Sequence, residues 1–189
     1  MGLFTRDFKS LEDLFLHGLQ DIYYAEQQIV KTLPDLIEQV STSELKQGLK
    51  EHLKQSQNHV WRLEIVFAAL GEKPKGVRCK GIDGILSEGN ELIGNSEGRS
   101  VIEAAVIASA QAVEHYEITR YGDLIAWAQE MGRKDLVKPL RENLREEKAA
   151  DKKLTSVAQA KINKKADKTS RRGARCTRSR TKSATALAA

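Results

Sequence analysis

SELKQGLKEHLKQSQNHVWRLEIVFAAL, residues 43–70, is the stretch that decides the fold. Leu45, Leu49, His52, Ser56, His59, Leu63, Val66 and Leu70 recur at alternating steps of four and three, the period of one face of an α-helix. His52, Ser56 and His59 stand where the alternation requires leucine. Three other stretches carry the same pattern with the same kind of interruption. The first runs Phe15, Leu19, Ile22, Glu26, Ile29, Leu33, Leu36, Val40. The third runs Ile102, Val106, Ala110, Val113, Glu117, Tyr121, Leu124, Ala128, Met131, and the fourth Leu136, Leu140, Leu144, Glu147, Asp151, Leu154, Ala158, Ile162.

A single Glu on an apolar stripe ordinarily sits at its margin with the carboxylate in solvent. Interruptions near the middle of four helices are a different matter. Burying an unpartnered carboxylate costs several kcal/mol, so acids on three helices and imidazole from a fourth require a shared counter-charge. A metal ion in the core of a bundle supplies one. Dinuclear carboxylate sites take a single Glu from each of two helices and a Glu–His pair one turn apart from each of the other two. Glu26 and Glu117 are placed as the single carboxylates, and Glu147 with Asp151 as one pair. The other pair is weaker, because His59 is preceded by Gln55 four residues earlier. Glu114, one turn before Glu117, is placed to bridge or to support a ligand. Oxygen-rich ligation with little imidazole suits iron or manganese better than zinc or copper. His17, His52 and His115 have no second ligand at convincing spacing on their own helices.

Hydroxyl-to-acid spacings mark helix starts at Ser10/Asp13, Ser41/Glu44 and Ser100/Glu103. The first helix is expected over about 11–40, kinked at Pro34, and the second over about 42–70, stopping at Gly71. GEKPKGVRCKG, 71–81, reads as a loop, followed by a weaker helix at about 82–95 that carries Gly84, Gly89 and Gly94. The third long helix spans about 101–131 and ends at Gly132; the fourth begins near Asp135 and fades near Lys164. Nothing reads as a strand. Two long hairpins joined by a long connection are how ferritin-like four-helix bundles are wired. The halves also echo one another, with 33 residues from Glu26 to His59 and 34 from Glu117 to Asp151.

The net charge of +5 averages two unlike regions. Lys164 onward carries nine Lys/Arg against Asp167, whereas the preceding body is acidic, at −3. The expected organisation is a helical bundle over 1–163 and a disordered basic tail over 164–189, since that composition cannot build a core. The tail's cations suit weak, non-specific binding of nucleic acid through phosphates, or serve only solubility. The two cysteines, Cys79 and Cys176, have no CxxC spacing, which fits a reducing, cytoplasmic setting. No segment approaches the roughly 20 apolar residues needed to span a bilayer. No P-loop, dinucleotide fingerprint or Ser/His/Asp order supports another enzyme class. Tyr23, Tyr24, Tyr116 and Tyr121 flank the acids, either as hydrogen-bond donors to them or as core aromatics. Trp61 and Trp127 read as packing or dimer-interface residues.

DIYYAEQQIVKTLPDL (21–36), EHLKQSQNHVWRLEIVFAALGEKP (51–74), SAQAVEHYEITRYGDL (109–124) and LREEKAADKKLT (144–155) resemble the YciE/YciF family of bacterial ferritin-like stress proteins. The resemblance covers roughly residues 8–165. It implies a ferritin-like bundle, a cytoplasmic homodimer and a part in general stress responses. It also implies metal ligands at Glu26, His59, Glu114, Glu117, Glu147 and Asp151. Relatives often carry HLEET where this chain has HLKQS, 52–56, and that lost carboxylate, with Asp151 in place of a second His, counts against a working di-iron oxidase. The rival readings are a helical stress protein whose inward acids form networks without metal, and one that acts by tethering to nucleic acid through its tail.

Overall fold

A computed structural model describes residues 8–168. Four long helices, α1 (Leu11–Gln39), α2 (Ser43–Ala69), α4 (Arg99–Glu130) and α5 (Lys134–Val157), form the bundle, and a short α3 (Lys80–Gly94) lies in the connection between α2 and α4. α1 packs on α2 and α4, α5 packs on α4 and α2, and α3 lies on α4. Among the described residues there is no strand, and no helix is long and apolar enough to cross a membrane. The expected ferritin-like wiring is therefore observed. α4 begins beside the α1–α2 turn, so the crossover runs the length of the bundle. At the opposite end Arg133 donates to the carbonyl of Ala69 at 2.8 Å, tying the α4–α5 turn to the α2 terminus.

The stripes become the core. Phe15, Leu19, Ile22, Leu45, Leu49, Leu63, Val106, Leu124, Leu136 and Leu140 are all at most 2% exposed. Gly71 and Gly132, expected as stops, follow α2 and α4 with φ of 74° and 71°, a left-handed conformation that glycine adopts without a Cβ clash. Gly89 in α3 is buried against α4, where an added Cβ would lie 2.9 Å from that of Ser109. The glycine that weakens α3 as a helix thus lets it approach α4. α1 runs on through Pro34 as one helix. Trp127 packs beside Gly18, while Trp61 is 59% exposed.

The helix starts agree with expectation at one of three places. Ser10 and Asp13 form the reciprocal capping box. Ser41 and Glu44 do not: α2 is capped at Thr42 without a side-chain bond from its own helix. Ser100 and Glu103 do not either, because Gly98 occupies the cap of α4. Glu103 instead turns across the bundle. Its Oε1 accepts from the Ser41 backbone, the Thr42 backbone and the Ser41 hydroxyl, each at 2.8 Å, and its Oε2 accepts from the Thr42 hydroxyl at 2.7 Å. The carboxylate from α4 thereby serves donors at the start of α2, and a local motif has become a clamp between the two hairpins.

The chain does not end its helix at Lys164. After a five-residue π-helical segment, Ala158–Ile162, it remains helical through 168, which corrects the start of the expected tail. The rest of that tail, with its expected nucleic-acid contacts, lies outside the described residues.

Glu103→Ala should cost roughly 2–3 kcal/mol in denaturant unfolding, because it strands several donors of a charge-assisted network, whereas Ser100→Ala should stay within about 0.5 kcal/mol. Burial would raise the Glu103 carboxyl, but its bonds to Thr42 and Ser41 hold it below the ordinary 4.5. Its stabilising contribution is thus present above that value and fades as pH falls through the lower, folded one. Equal stability of the Glu103→Ala and Ser100→Ala variants across that range would contradict the clamp.

Candidate metal centre

Each long helix sends acid or imidazole into the core at one level. Glu26 from α1, His52 and His59 from α2, Glu114 and Glu117 from α4, and Glu147 from α5 are all at most 6% exposed. Their ligating atoms fall into two groups whose members lie within 4.8 Å of one another: His52, Glu114, Glu117 and Glu147 in one, Glu26, His59 and Glu147 in the other. Glu147 belongs to both.

The second group is the more completely bonded. His59 Nδ1 contacts Glu26 Oε1 at 3.0 Å and Glu147 Oε1 at 2.7 Å, the former with hydrogen-bond alignment and the latter without it. His59 Nε2 meets Glu146 Oε2 at 2.9 Å, and Arg62 donates to that same oxygen at 2.8 Å. The Tyr121 hydroxyl donates to Glu26 Oε1, and Asn143 donates to Tyr121 at 2.9 Å. In the first group His52 Nε2 lies 3.2 Å from Glu114 Oε1 and 3.9 Å from Glu147 Oε2. Many buried atoms here have no hydrogen-bond partner among the described residues: both oxygens of Glu117, both of Glu147, one each of Glu26 and Glu114, and both nitrogens of His52. Buried polar atoms are otherwise almost always satisfied, so a concentration of orphaned donor atoms fits a bound cation. The set combines carboxylates with imidazole, as iron and manganese prefer.

The electrostatics of the protein without metal agree. Burial, followed by the charges of Glu147 and Glu26, pushes Glu117 well above the carboxylate range. Burial and the neighbouring Glu147 do the same to Glu114. Glu147 is held below the range despite its burial, by the close approach of Glu114 and of the His59 imidazole. Burial alone would lower His59, but the Glu26 charge, the close approach of Glu147 and the bond to Glu26 outweigh it and raise the imidazole to about 10. Protons therefore stand in for the counter-charge the acids require.

Five of the six sequence-predicted ligands, Glu26, His59, Glu114, Glu117 and Glu147, meet here. Asp151 is apart from both groups; its Oδ1 accepts from Gln111 at 2.8 Å and lies 3.4 Å from the exposed His115. The one-turn partner of Glu147 in sequence is turned toward the α4–α5 seam. His52, set aside because its own helix offers no second ligand at convincing spacing, is in the first group. Its signal was its place on the stripe, seven residues before His59. Asn143 was also missed: it is fully buried, and the core alternation of α5 passes through it in preference to Leu144. Of the tyrosines only Tyr121 reaches the cluster. Tyr23 bonds to Glu64, Tyr24 to Asp83, and Tyr116 to Asp21 and Cys79.

Known proteins share this architecture. Residues 10–167 match the family described as domain of unknown function DUF892. The chain belongs to the DUF892 family. This member is 40% identical over 162 residues to Protein YciF of Escherichia coli K12, covering 85% of this chain and 98% of that protein. The crystal structure of the E. coli stress protein YciF superposes with a TM-score of 0.78 at 39% identity, over 83% of this chain and 99% of that one. YcfI of Rhodopseudomonas palustris, a suggested structural protein, gives a TM-score of 0.80 at 55% identity over 82% and 99%. These relatives span the bundle, so DUF892 here denotes the whole helical body. The YciE/YciF resemblance read from the four blocks is thereby established.

Because ligands must shed their protons to take a metal, filling both positions should release about three protons per chain at neutral pH, from Glu114, Glu117 and His59, and affinity should rise with pH. A pH indicator in weak buffer measures the release; none at saturating metal would count against these ligands. The raised His59 value also fixes a trend for the metal-free protein: its contribution to stability is full below 6.5 and is lost as pH rises toward about 10. Thermal midpoints should fall over that window without metal, and less with it.

Proposed function

We propose that this DUF892 protein is a ferritin-like stress protein that holds two iron or manganese ions in the core of its bundle. The observation that carries the reading is the pair of buried donor groups sharing Glu147, with their orphaned oxygens and imidazole nitrogens. His52, Glu114 and Glu117 would complete one position, and Glu26 and His59 the other, with Glu147 common to both. Iron or manganese bound there supplies redox chemistry toward oxygen or peroxide. The chain's own residues supply the rest. Asn143 orients Tyr121, and Tyr121 in turn fixes one oxygen of Glu26. Arg62 and Glu146 set the outer nitrogen of His59 and hence the orientation of its ring. The likeness to the E. coli stress protein supports the physiological half of the proposal.

A second reading draws on the same hydrogen bonds. The run from Asn143 through Tyr121 and Glu26 to His59, Glu146 and Arg62 is continuous without any ion. On that reading Glu114 and Glu117 stay protonated and the role is structural, as suggested for YcfI. Stoichiometry separates the two.

After reconstitution with Fe(II) or Mn(II), elemental analysis should find about one or two ions per chain. Glu147→Ala should deplete both positions and Glu117→Ala one, whereas Glu38→Ala, at an exposed site on α1, should bind as wild type. His52→Ala should lose metal and Asp151→Ala should keep it. Near-zero metal in the wild type, with no thermal shift on adding either ion, favours the structural reading.

A further inference from the structure

The seam between α2 and α5 is not closed. A cavity of about 240 Å³ opens there, with His52 and Glu114 among its lining residues. Both are buried, and each offers atoms without a hydrogen-bond partner among the described residues. Small residues account for the gap: Gly48 lines it from α2, and Ala149 and Ala150 line it from α5. Glycine inside a helix costs about 0.5–1 kcal/mol relative to alanine. At Gly48 an added Cβ would meet the Lys153 side chain first, its nearest atom at an ordinary 3.5 Å. Neither backbone strain nor tight helix packing accounts for glycine at that position; it leaves free volume in the wall.

The rim carries charge. Glu51 pairs with Lys153 at 2.5 Å and Glu44 with Lys161 at 2.9 Å, and all four are about half exposed. Glu51 also accepts from Gln47 at 3.1 Å, and a carboxylate whose charge is met by a flexible lysine can exchange that lysine for another cation. From the rim inward, a cation meets carboxylates first and then the imidazole and carboxylate of the first donor group. The other approaches are less favourable. A cavity that reaches His52 and Glu114 from the α1–α3 side is about 20 Å³ and has mainly apolar walls. On the far side Glu26, His59 and Glu147 have no exposure at all.

We propose that the α2–α5 cavity is the inlet through which a divalent cation reaches the donor groups, and that Gly48 keeps it open. The proposal rests on the metal reading above, but it concerns the rate of loading and leaves final occupancy unchanged. Gly48→Leu would fill the wall without replacing a ligand and would add helix propensity. Glu51→Gln would remove one rim carboxylate and leave the Lys153 charge facing the incoming ion.

Metal-free full-length protein is mixed with Mn(II), and the disappearance of the free-ion EPR signal gives the loading rate. Elemental analysis at equilibrium gives the stoichiometry. Gly48→Leu should load about tenfold more slowly, since the ion must then await a local opening, and should reach the wild-type stoichiometry. Glu51→Gln should load about threefold more slowly at low ionic strength and at the wild-type rate in high salt. Gly84→Leu, at an exposed site on α3 with open space around it, should match wild type. Wild-type loading by a folded Gly48→Leu, or a lowered final stoichiometry in it, overturns the inlet while leaving the metal reading intact. If Gly48→Leu does not fold, Glu51→Gln decides: no slowing at low salt overturns the proposal. A wild-type chain that takes up no Mn(II) overturns both.

Discussion

Everything else in this bundle accommodates one constraint: four carboxylates have been taken out of water at the same level. An isolated buried carboxylate is costly, and mutual repulsion raises the cost further. Without metal, the core meets the constraint by keeping Glu114 and Glu117 in the neutral form while His59 takes the charged one. Glu147 lies between them, with an oxygen in each group, and stays ionised. The surrounding scaffold is arranged to make this tolerable. Arg62 neutralises Glu146 on the outer side of His59, and Tyr121, itself held by Asn143, joins His59 in satisfying one oxygen of Glu26. The apolar layers above and below are those of any helical bundle.

The helices were legible because their signals are local. A 3–4 alternation, a glycine stop and a polar interruption can all be read within one helix, and the four interruptions were found where the core does close around acids. What one helix cannot state is which neighbour a side chain will meet. His52 illustrates this: its partners Glu114 and Glu147 come from α4 and α5, and no spacing within α2 points to them. Asp151 is the converse. A step of four residues advances about 40° beyond a full turn, enough to carry it from the core face to the seam where Gln111 can bond it. Spacing that places two residues on one face of a helix does not place both in one site.

Two of the three capping spacings failed for a related reason. Ser100 and Glu103 have the separation of a capping box, yet Glu103 satisfies donors on a different helix. Local and tertiary partners compete for the same carboxylate. The donors of the α1–α2 turn, brought against α4 by core packing, win it. The beginning of the expected tail shifted as well, because helix continuation at 164–168 depends on the packing just before it rather than on the charge that follows.

That packing depends on the π-helical segment. Counted from buried Leu154 at about 100° per residue, an unbroken α-helix would bring Lys161 back to the core face and carry Ile162 well to one side. The wider turn over Ala158–Ile162 holds the rotation back. Ile162 is accordingly fully buried, and Lys161 reaches outward to Glu44. The segment therefore acts as a phase shift in the helical repeat. It reconciles a stripe whose last two steps are both four residues long with a bundle that accepts three and a half on average. The segment holds one residue more than an ordinary helix needs there: deleting one of Ala158–Ala160 would make Ile162 the seventh residue after Leu154, where an unbroken α-helix already faces the core, so the wider turn is what accommodates the extra residue.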